Sequence, residues 1–386
     1  MMLRRVSSTP VQAGAGAWQE ARRACGQKSL VITDSAVAID QPAIQIDAHE
    51  ADWRTVQGLA RHIAEKAPST VIGIGGGSVL DVVKLACLVH ADPRNVDLLQ
   101  GWGQRAGAII VPGVRNTLVR RVFVSTTVGT GVEVSPVACV RMDGRKRLVV
   151  GAALRPDLAV LDPELTASLP EYLLLEGVFE ALLRIIGAVA GSAHVGGLPD
   201  AEAAMLAKHL LDTGNRIAAG DTGSDVRLTA AMLSAATHTG WTLTGRAPYA
   251  PKHWYLANEL STTLGLRKMV ATACVLPGVW TRIVRGDTRY GNVAQLVEAW
   301  TWLNESEPVT GLGELLQRWR IEHSVTASSA SVAEAAERAV ASWGGRLPML
   351  AGLTTPEIHK LYTESVMVRT TTPAMNMAAA SKKHIT

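Results

Sequence analysis

The residues of this chain whose types and spacing could do chemistry start at Gly75-Gly76-Gly77-Ser78 and continue to Asp81 and Lys84. Three consecutive glycines leave the backbone bare, so a ligand can lie directly on its N–H groups. Ser78 is a residue type that caps helices. A helix N-terminus behind a glycine turn offers free N–H groups and the positive end of its dipole to an anion. Asp81 and Lys84 are three apart and share a helix face. Lys84 is expected to reach back to a bound phosphate, and Asp81 to orient it or to bond ligand hydroxyls. The spacing departs from G-x-G-x-x-G, because Ser78 stands where the third glycine belongs, and no Gly-Lys-Ser/Thr follows.

Positioning such a turn requires a strand before it and a helix after it. Val71–Ile74 is a β-branched run that reads as the strand, and the helix runs through His90. Around it, Ser29–Asp34, Ala43–Ile46, Ala108–Val111, Val122–Ser125 and Leu158–Asp162 read as further strands. Asp52–Lys66 has helical spacing, with Val56, Leu59, Ala60 and Ile63 on one face. Val137–Val140 and Arg147–Val150 read as a hairpin turned at Asp143-Gly144. Alternating strands and helices predict a mostly parallel sheet covered on both faces, with ligands at the C-terminal strand ends. Asp34, Gly75–Ser78 and Thr126–Thr130 all fall at such ends. After Asp162–Pro170 the strand signals vanish. Leu173–Ala190, Pro199–Ile217, Ser224–Thr237, Lys252–Leu264, Val270–Ile283, Val293–Leu303, Gly311–Trp319, Ser331–Trp343 and Thr355–Met367 read as helices. The expected organisation is an α/β domain over 1–168, an all-helical domain over 169–369 and a polar tail over 370–386.

Gly-Gly-Gly-Ser-x-x-Asp-x-x-Lys at Gly75–Lys84 resembles the cofactor-binding signature of the iron-containing alcohol dehydrogenase family, related to glycerol dehydrogenase and dehydroquinate synthase. Ser125-Thr126-Thr127-Val128-Gly129-Thr130-Gly131-Val132-Glu133 resembles that family's Thr-Thr-x-Gly-Thr-Gly-Ser-Glu, with Val132 in place of the serine. Asp162-Pro163-Glu164-Leu165-Thr166 to Leu169-Pro170 resembles its interdomain linker. The resemblance covers nearly the whole chain. It implies an N-terminal dinucleotide domain, a helical C-terminal domain and a cleft between them for substrate, nicotinamide and metal. It makes Gly75, Gly76, Gly77, Ser78, Asp81, Lys84, Thr126, Thr127, Gly129 and Thr130 cofactor residues. It also places Asp34 where an acidic residue accepts bonds from the adenosine ribose, which implies NAD rather than NADP, since a 2′-phosphate there meets a carboxylate.

Family members hold a divalent metal with one Asp and three His. Here Glu180-Ala181-Leu182-Leu183-Arg184 matches the first pair, and arginine has no lone pair to give a metal. Counting back from Leu276-Pro277 puts Lys268 at the last histidine position. A gap-free count puts Trp254 at the earlier ligand position and Asn258 at the following histidine, while a one-residue shift restores His253. Two ligands beside two fixed cations do not satisfy Fe²⁺ or Zn²⁺, so no metal is expected. Glu180 and Arg184 lie four apart on one helix face. Together with Lys268 they are expected to substitute for the ion's charge and polarise a carbonyl, with His253 as a base. His238 is a further candidate proton carrier.

Two readings follow from this: a metal-independent, NAD-dependent alcohol dehydrogenase-like oxidoreductase, or a non-catalytic NAD-binding partner of another biosynthetic enzyme. A dehydroquinate-synthase-like lyase is disfavoured, because it too needs the metal. Members attached to peptide natural-product clusters of the daptide type are similarly degenerate, which makes a modified peptide a candidate substrate. The family resemblance favours a homodimer, or a hetero-complex with a biosynthetic enzyme.

The 386 residues suffice for two cored domains. A net charge of +4 and interrupted basic clusters (Arg115–Arg121, Arg141–Arg147) read as solvated surface and argue against nucleic acid. Four widely spaced Cys exclude a zinc ribbon or Cys-x-x-Cys redox motif. Met1–Arg5 lacks a following apolar segment, so no secretory signal is read, and no run of about 18 apolar residues suggests a membrane span. A cytoplasmic protein with reduced thiols is the expectation.

Overall fold

The computed structural model describes residues 9–112, 118–247, 249–303 and 306–369. The tail 370–386, the basic N-terminus and Arg115 lie outside them. The chain begins with β1 (Val11–Ala13) and α1 (Ala17–Cys25), neither of which the sequence pattern announced. Then come β2 (Ser29–Asp34), β3 (Ile44–Ile46), α2 (Trp53–Lys66), β4 (Thr70–Gly75), α3 (Gly77–Ala91) and α4 (Asn95–Gly103). They are followed by β5 (Ala108–Ile110), β6 (Arg120–Ser125), β7 (Val137–Met142), β8 (Arg145–Val150) and β9 (Leu158–Leu161).

A six-stranded parallel sheet has the order β1-β9-β6-β4-β2-β3. β4 lies at its centre and every residue of it is buried, as its β-branched composition requires. Because β2, β4 and β6 are adjacent and parallel, Asp34, Gly75 and Ser125 end side by side at one edge of the sheet. The 108–111 segment does not join this sheet. It forms β5 of a separate three-stranded sheet, β5-β8-β7, whose antiparallel half is the expected hairpin. Asp143 and Gly144 both take positive φ, 48° and 70°. That is the two-residue turn whose twist suits a hairpin.

The remaining chain forms α5 (Glu171–Ala190), α6 (Gly197–Ala218), α7 (Ser224–Thr239), α8 (Lys252–Leu264), α9 (Lys268–Val284), α10 (Val293–Thr301), α11 (Pro308–Arg318), α12 (Ser329–Trp343) and α13 (Thr355–Ser365). This domain is not wholly helical: β10 (Thr326–Ser328) pairs in parallel with β11 (Met367–Arg369). α5 is the core helix. Its residues from Leu174 to Ala190 are all buried, so it carries Glu176, Glu180 and Arg184 into the interior. The α5 core is continuous with Val128 and Val134 of the loop after β6 and with Ala159 and Leu161 of β9, which joins the two domains.

Two arginines expected on a solvated surface are buried. Arg121 donates to the carbonyls of Ala153 and Arg155, and Arg147 to the Gly103 carbonyl and Ser342 Oγ. Both lie inside strands, where alternate residues face the interior and a long cation persists only by satisfying carbonyls. No helix among the described residues is long and apolar enough to cross a membrane.

Candidate active site

The glycine turn and the threonine loop face each other at the C-terminal edge of the parallel sheet. α3 starts at Gly77 with Gly76 as its N-cap, and no side chain caps its first N–H groups. Ser78 is therefore the second helical residue, not the cap, and it is exposed. A Cβ on Gly76 would sit 3.0 Å from Thr127 Cγ2, and one on Gly77 3.0 Å from Thr130 Cγ2. The two segments pack so closely that only glycine leaves the helix N-terminus open. The Oγ1 atoms of Thr127 and Thr130 are buried without a partner. Two orphan hydroxyls beside an uncapped helix N-terminus suit a polyoxygenated anionic ligand, and a dinucleotide's pyrophosphate fits this cradle. Asp34 lies against Gly75, with its Cβ 3.2 Å from the position of a Gly75 Cβ. Its Oδ1 accepts from the Ala36 N–H at 3.0 Å, which turns the chain after β2. Thr126 is fixed by its N–H to the Gly75 carbonyl.

Lys84 does not reach toward a phosphate. Its side chain is fully buried, and Nζ donates to the carbonyls of Val132, Ser135 and Val137 at 2.7, 2.9 and 2.7 Å. An ammonium has three hydrogens, so these carbonyls take all of them. Lys84 is a brace that shapes the threonine loop from beneath. Burial lowers its pKa and raises that of Asp81, each opposed by the charge of the other.

Across the cleft, α5, α8 and α9 bring together Glu180, Arg184, Trp254 and Lys268. Lys268 Nζ is 3.1 Å from Glu180 Oε1, and Arg184 Nη2 is 3.9 Å from the same oxygen. The Trp254 ring lies under both cations, 4.6 Å from Lys268 Nζ and 5.3 Å from Arg184 Cζ. Contacts of this kind contribute roughly 0.5–2 kcal/mol each. Burial pushes the Glu180 carboxyl up, but Lys268 and Arg184 outweigh it and hold it below the ordinary glutamate value. The Lys268 charge also acts, more weakly, to lower the Asp81 carboxyl. Lys268 is the more accessible cation, with 29% of its side chain exposed against 5% for Arg184.

The two cations do not share one role. Arg184 donates to the carbonyls of Gly129 (2.6 Å) and Thr130 (3.3 Å) and to Thr237 Oγ1 (3.1 Å). Those acceptors take up three of its four Nη hydrogens, and its Nε is buried without a partner, so what the guanidinium holds is the threonine loop and α7, where the expectation was a substrate oxygen. Trp254, not His253, occupies the pocket, as the gap-free count has it. His253 packs behind it, 2% exposed, with Cε1 against Gly187 and Nε2 unpartnered. A Cβ on Gly187 would come within 2.6 Å of that ring. His253 is a packing residue, not a base in the cleft. His238 lies against Gly131, and its buried Nε2 also lacks a partner. Asn258 donates to Glu259 on its own helix.

Burial, and then the Lys268 charge, lowers the His253 pKa from 6.5 to about 3. As pH falls through 6.5 the unfolded chain takes up this proton and the folded chain does not. The stability is therefore complete above 6.5 and is lost progressively toward pH 3. One pKa unit corresponds to about 1.4 kcal/mol, so the whole window is worth on the order of 5 kcal/mol. His253→Phe keeps a ring but cannot take up the proton. Its urea midpoint is expected to fall less than that of wild type between about pH 7 and pH 4.5, and parallel curves would contradict this assignment.

Some contributors gave no motif. Gly177 of α5 meets Gly129 backbone to backbone, where a Cβ on Gly129 would come within 2.6 Å of Gly177 Cα. Ser234 Oγ accepts from the Gly129 N–H at 3.1 Å. A glycine inside the apolar run Leu173–Ala190 was the one available hint. Among the described residues, one group of three side chains of ligand type has mutually close donor atoms: His194, Asp200 and Glu298, with His194 and Asp200 following the C-terminal end of α5 in the chain.

A family model described as iron-containing alcohol dehydrogenase matches residues 9–163. Phosphonoacetaldehyde reductase of Streptomyces viridochromogenes is 33% identical over 156 residues, 40% of this chain and 38% of that protein. The NADPH-dependent aldehyde reductase YqhD of Escherichia coli is 27% identical over 254 residues, 64% of this chain and 62% of that protein. The matches thus span less than two thirds of these relatives' lengths. Among solved structures, an iron-containing alcohol dehydrogenase of Thermotoga maritima superposes with a TM-score of 0.74 at 19% identity, covering 94% of this chain and 99% of that one. An NADH-dependent butanol dehydrogenase A of the same organism gives 0.71 at 14% identity, covering 94% and 98%. The fold is therefore that of these enzymes along nearly the whole chain.

Proposed function

The family match over residues 9–163 and the fold of the whole chain support the iron-containing alcohol dehydrogenase family, and on that premise we propose an NAD-dependent oxidoreductase that interconverts a carbonyl and an alcohol without a resident metal. The observation that carries this reading is the Lys268–Glu180 pair at 3.1 Å, with Trp254 beneath it, at positions the resemblance assigns to metal ligands. Of Glu180, Arg184, Trp254 and Lys268, only the Glu180 carboxylate has lone pairs for an ion, and one of its oxygens already accepts from Lys268. Fe²⁺ or Zn²⁺ needs three or four donors, so this donor set does not fit.

A bound nicotinamide dinucleotide supplies or accepts the hydride. Gly76 and Gly77 admit its pyrophosphate to the N-terminus of α3, and Thr127 and Thr130 offer their unpartnered hydroxyls. Lys268 directs one hydrogen at Glu180 and keeps others for a carbonyl oxygen, to which it donates a proton as the carbon is reduced. Glu180 fixes the ammonium, and Trp254 forms a flat wall beside it. An ammonium acidifies an alcohol less than a coordinated metal does, so reduction is the favoured direction. Asp34 disfavours a 2′-phosphate, giving a preference for NADH that Asp34→Gly is expected to narrow. The degenerate ligand positions keep a modified peptide as the candidate substrate, and a second copy or a biosynthetic enzyme as the candidate partner.

The test is NADH-driven reduction of an aldehyde panel by chelator-treated protein, with Fe and Zn measured. Turnover with substoichiometric metal is expected. Turnover that depends on stoichiometric metal overturns the proposal. NAD(H) binding without turnover on any aldehyde, alone or with neighbouring gene products, overturns it in favour of the non-catalytic partner.

A further inference from the structure

The guanidinium of Arg184 is buried between the two halves of the site, and its Nη contacts tie one half to the other. The threonine loop must run backbone-first against the helical domain. Gly129 (φ 105°) meets Gly177 of α5, and Gly131 (φ 60°) meets His238 of α7. So close an approach buries the loop's carbonyls where water cannot satisfy them, and a buried unpaired carbonyl is costly. Arg184 supplies the donors, with Nη2 on Gly129 and Thr130 and Nη1 on Thr237 Oγ1. Thr237 in turn donates to the Ser234 carbonyl, and Ser234 Oγ accepts from the Gly129 N–H. Both backbone groups of Gly129 are thus bonded to the helical domain. The same guanidinium plane covers Trp254 and stands 3.9 Å from Glu180.

We propose that Arg184 is a positioning residue for the cofactor: from the substrate half of the cleft it sets the loop whose Thr127 and Thr130 face the glycine turn. Resting on the dinucleotide reading above, this gives the arginine a task that the charge of a metal substitute would not. Holding Thr127 and Thr130 against Gly76 and Gly77 keeps their hydroxyls aimed at the ligand before it arrives. Binding then does not have to order the loop, and preorganisation of this kind appears as affinity. A lysine at 184 keeps the charge beside Glu180 but lacks the planar fork that reaches two carbonyls and a hydroxyl at once.

Arg227 provides the control. It too is buried in the helical domain and donates to the carbonyls of Thr222, Thr166 and Leu169, without touching the loop. NADH binding is measured by calorimetry on wild type, Arg184→Ala, Arg184→Lys and Arg227→Ala, with melting temperatures recorded for each. Both alanine variants are expected to melt lower. Only the two Arg184 variants are expected to bind NADH more weakly, by about ten- to hundredfold for alanine, the range of one or two hydrogen bonds to a charged group. Equal NADH affinity in wild type and Arg184→Ala, or the same loss in Arg227→Ala, overturns the positioning role while leaving the dinucleotide site intact. A wild-type chain that binds no dinucleotide overturns both.

Discussion

Lys268→Ala is expected to lower kcat for NADH-driven carbonyl reduction by about two to three powers of ten, the range over which a positioned acid or oxyanion donor acts. Cofactor affinity should barely change, because Lys268 contacts Glu180 and Trp254 and not the glycine turn. The substitution also leaves Glu180 buried with its nearer cation gone. Removing one partner of a buried pair costs about 3–5 kcal/mol, so a fall in activity alone could report a loosened fold. The double variant Glu180→Gln/Lys268→Met separates the two effects. It removes both charges, keeps the side-chain volumes, and should recover much of the stability while staying inactive. Lys268→Arg should retain some activity, since it keeps a cationic donor in the pocket. If Lys268→Ala turns over within about threefold of wild type, or if the double variant regains activity with its stability, Lys268 is not the acid.

The sequence was legible where one local rule decides the outcome. A β-branched run followed by three glycines dictates strand, turn and helix, and Thr70–Gly75 and Gly77–Ala91 take those forms. α8 spans Lys252–Leu264 as its pattern predicts, because Gly265 at φ 65° ends it. Glycine takes that left-handed cap without strain. The gap-free count placed Trp254 in the pocket because one unbroken α8 and a short turn to α9 leave no room for a shift. What stayed hidden are the jobs of the long cations. Arg184 acts on carbonyls 54 and 55 residues away, and Lys84 on carbonyls 48 to 53 away. Backbone carbonyls carry no sequence signature. A hint was present in both cases: Lys84 follows Val82-Val83 and precedes Leu85-Ala86, and Arg184 sits within Leu182–Ile186. A cation in a helix that is apolar all round has no solvent side, so it must find acceptors inside. β10 and β11, at three residues each, are too short to show any period.

Gly76→Val should abolish measurable NAD(H) binding at concentrations that saturate the wild type. The backbone at Gly76 has φ -77° and ψ -179°. Valine adopts such an extended conformation without strain. The effect therefore cannot come from the turn's own geometry. It comes from the space above it. The new Cβ meets Thr127 Cγ2 at 3.0 Å, and two further methyls have to find room beside the uncapped N-terminus of α3. Thr127 has to give way, and whatever anion lies on those groups is lifted off them. Losing two charge-assisted bonds weakens binding by roughly a hundredfold or more. The fold should hold, because Gly76 is partly exposed and follows a strand instead of filling the core. Gly58→Ala in α2 is the matched control. A Cβ there meets nothing within 4 Å. It should raise helix stability by about 0.5–1 kcal/mol and leave cofactor affinity alone. Titration of both variants with NADH, followed by nicotinamide fluorescence, decides the matter. If Gly76→Val binds as Gly58→Ala does, the pyrophosphate does not lie on this turn, and the dinucleotide site must be sought elsewhere on the chain.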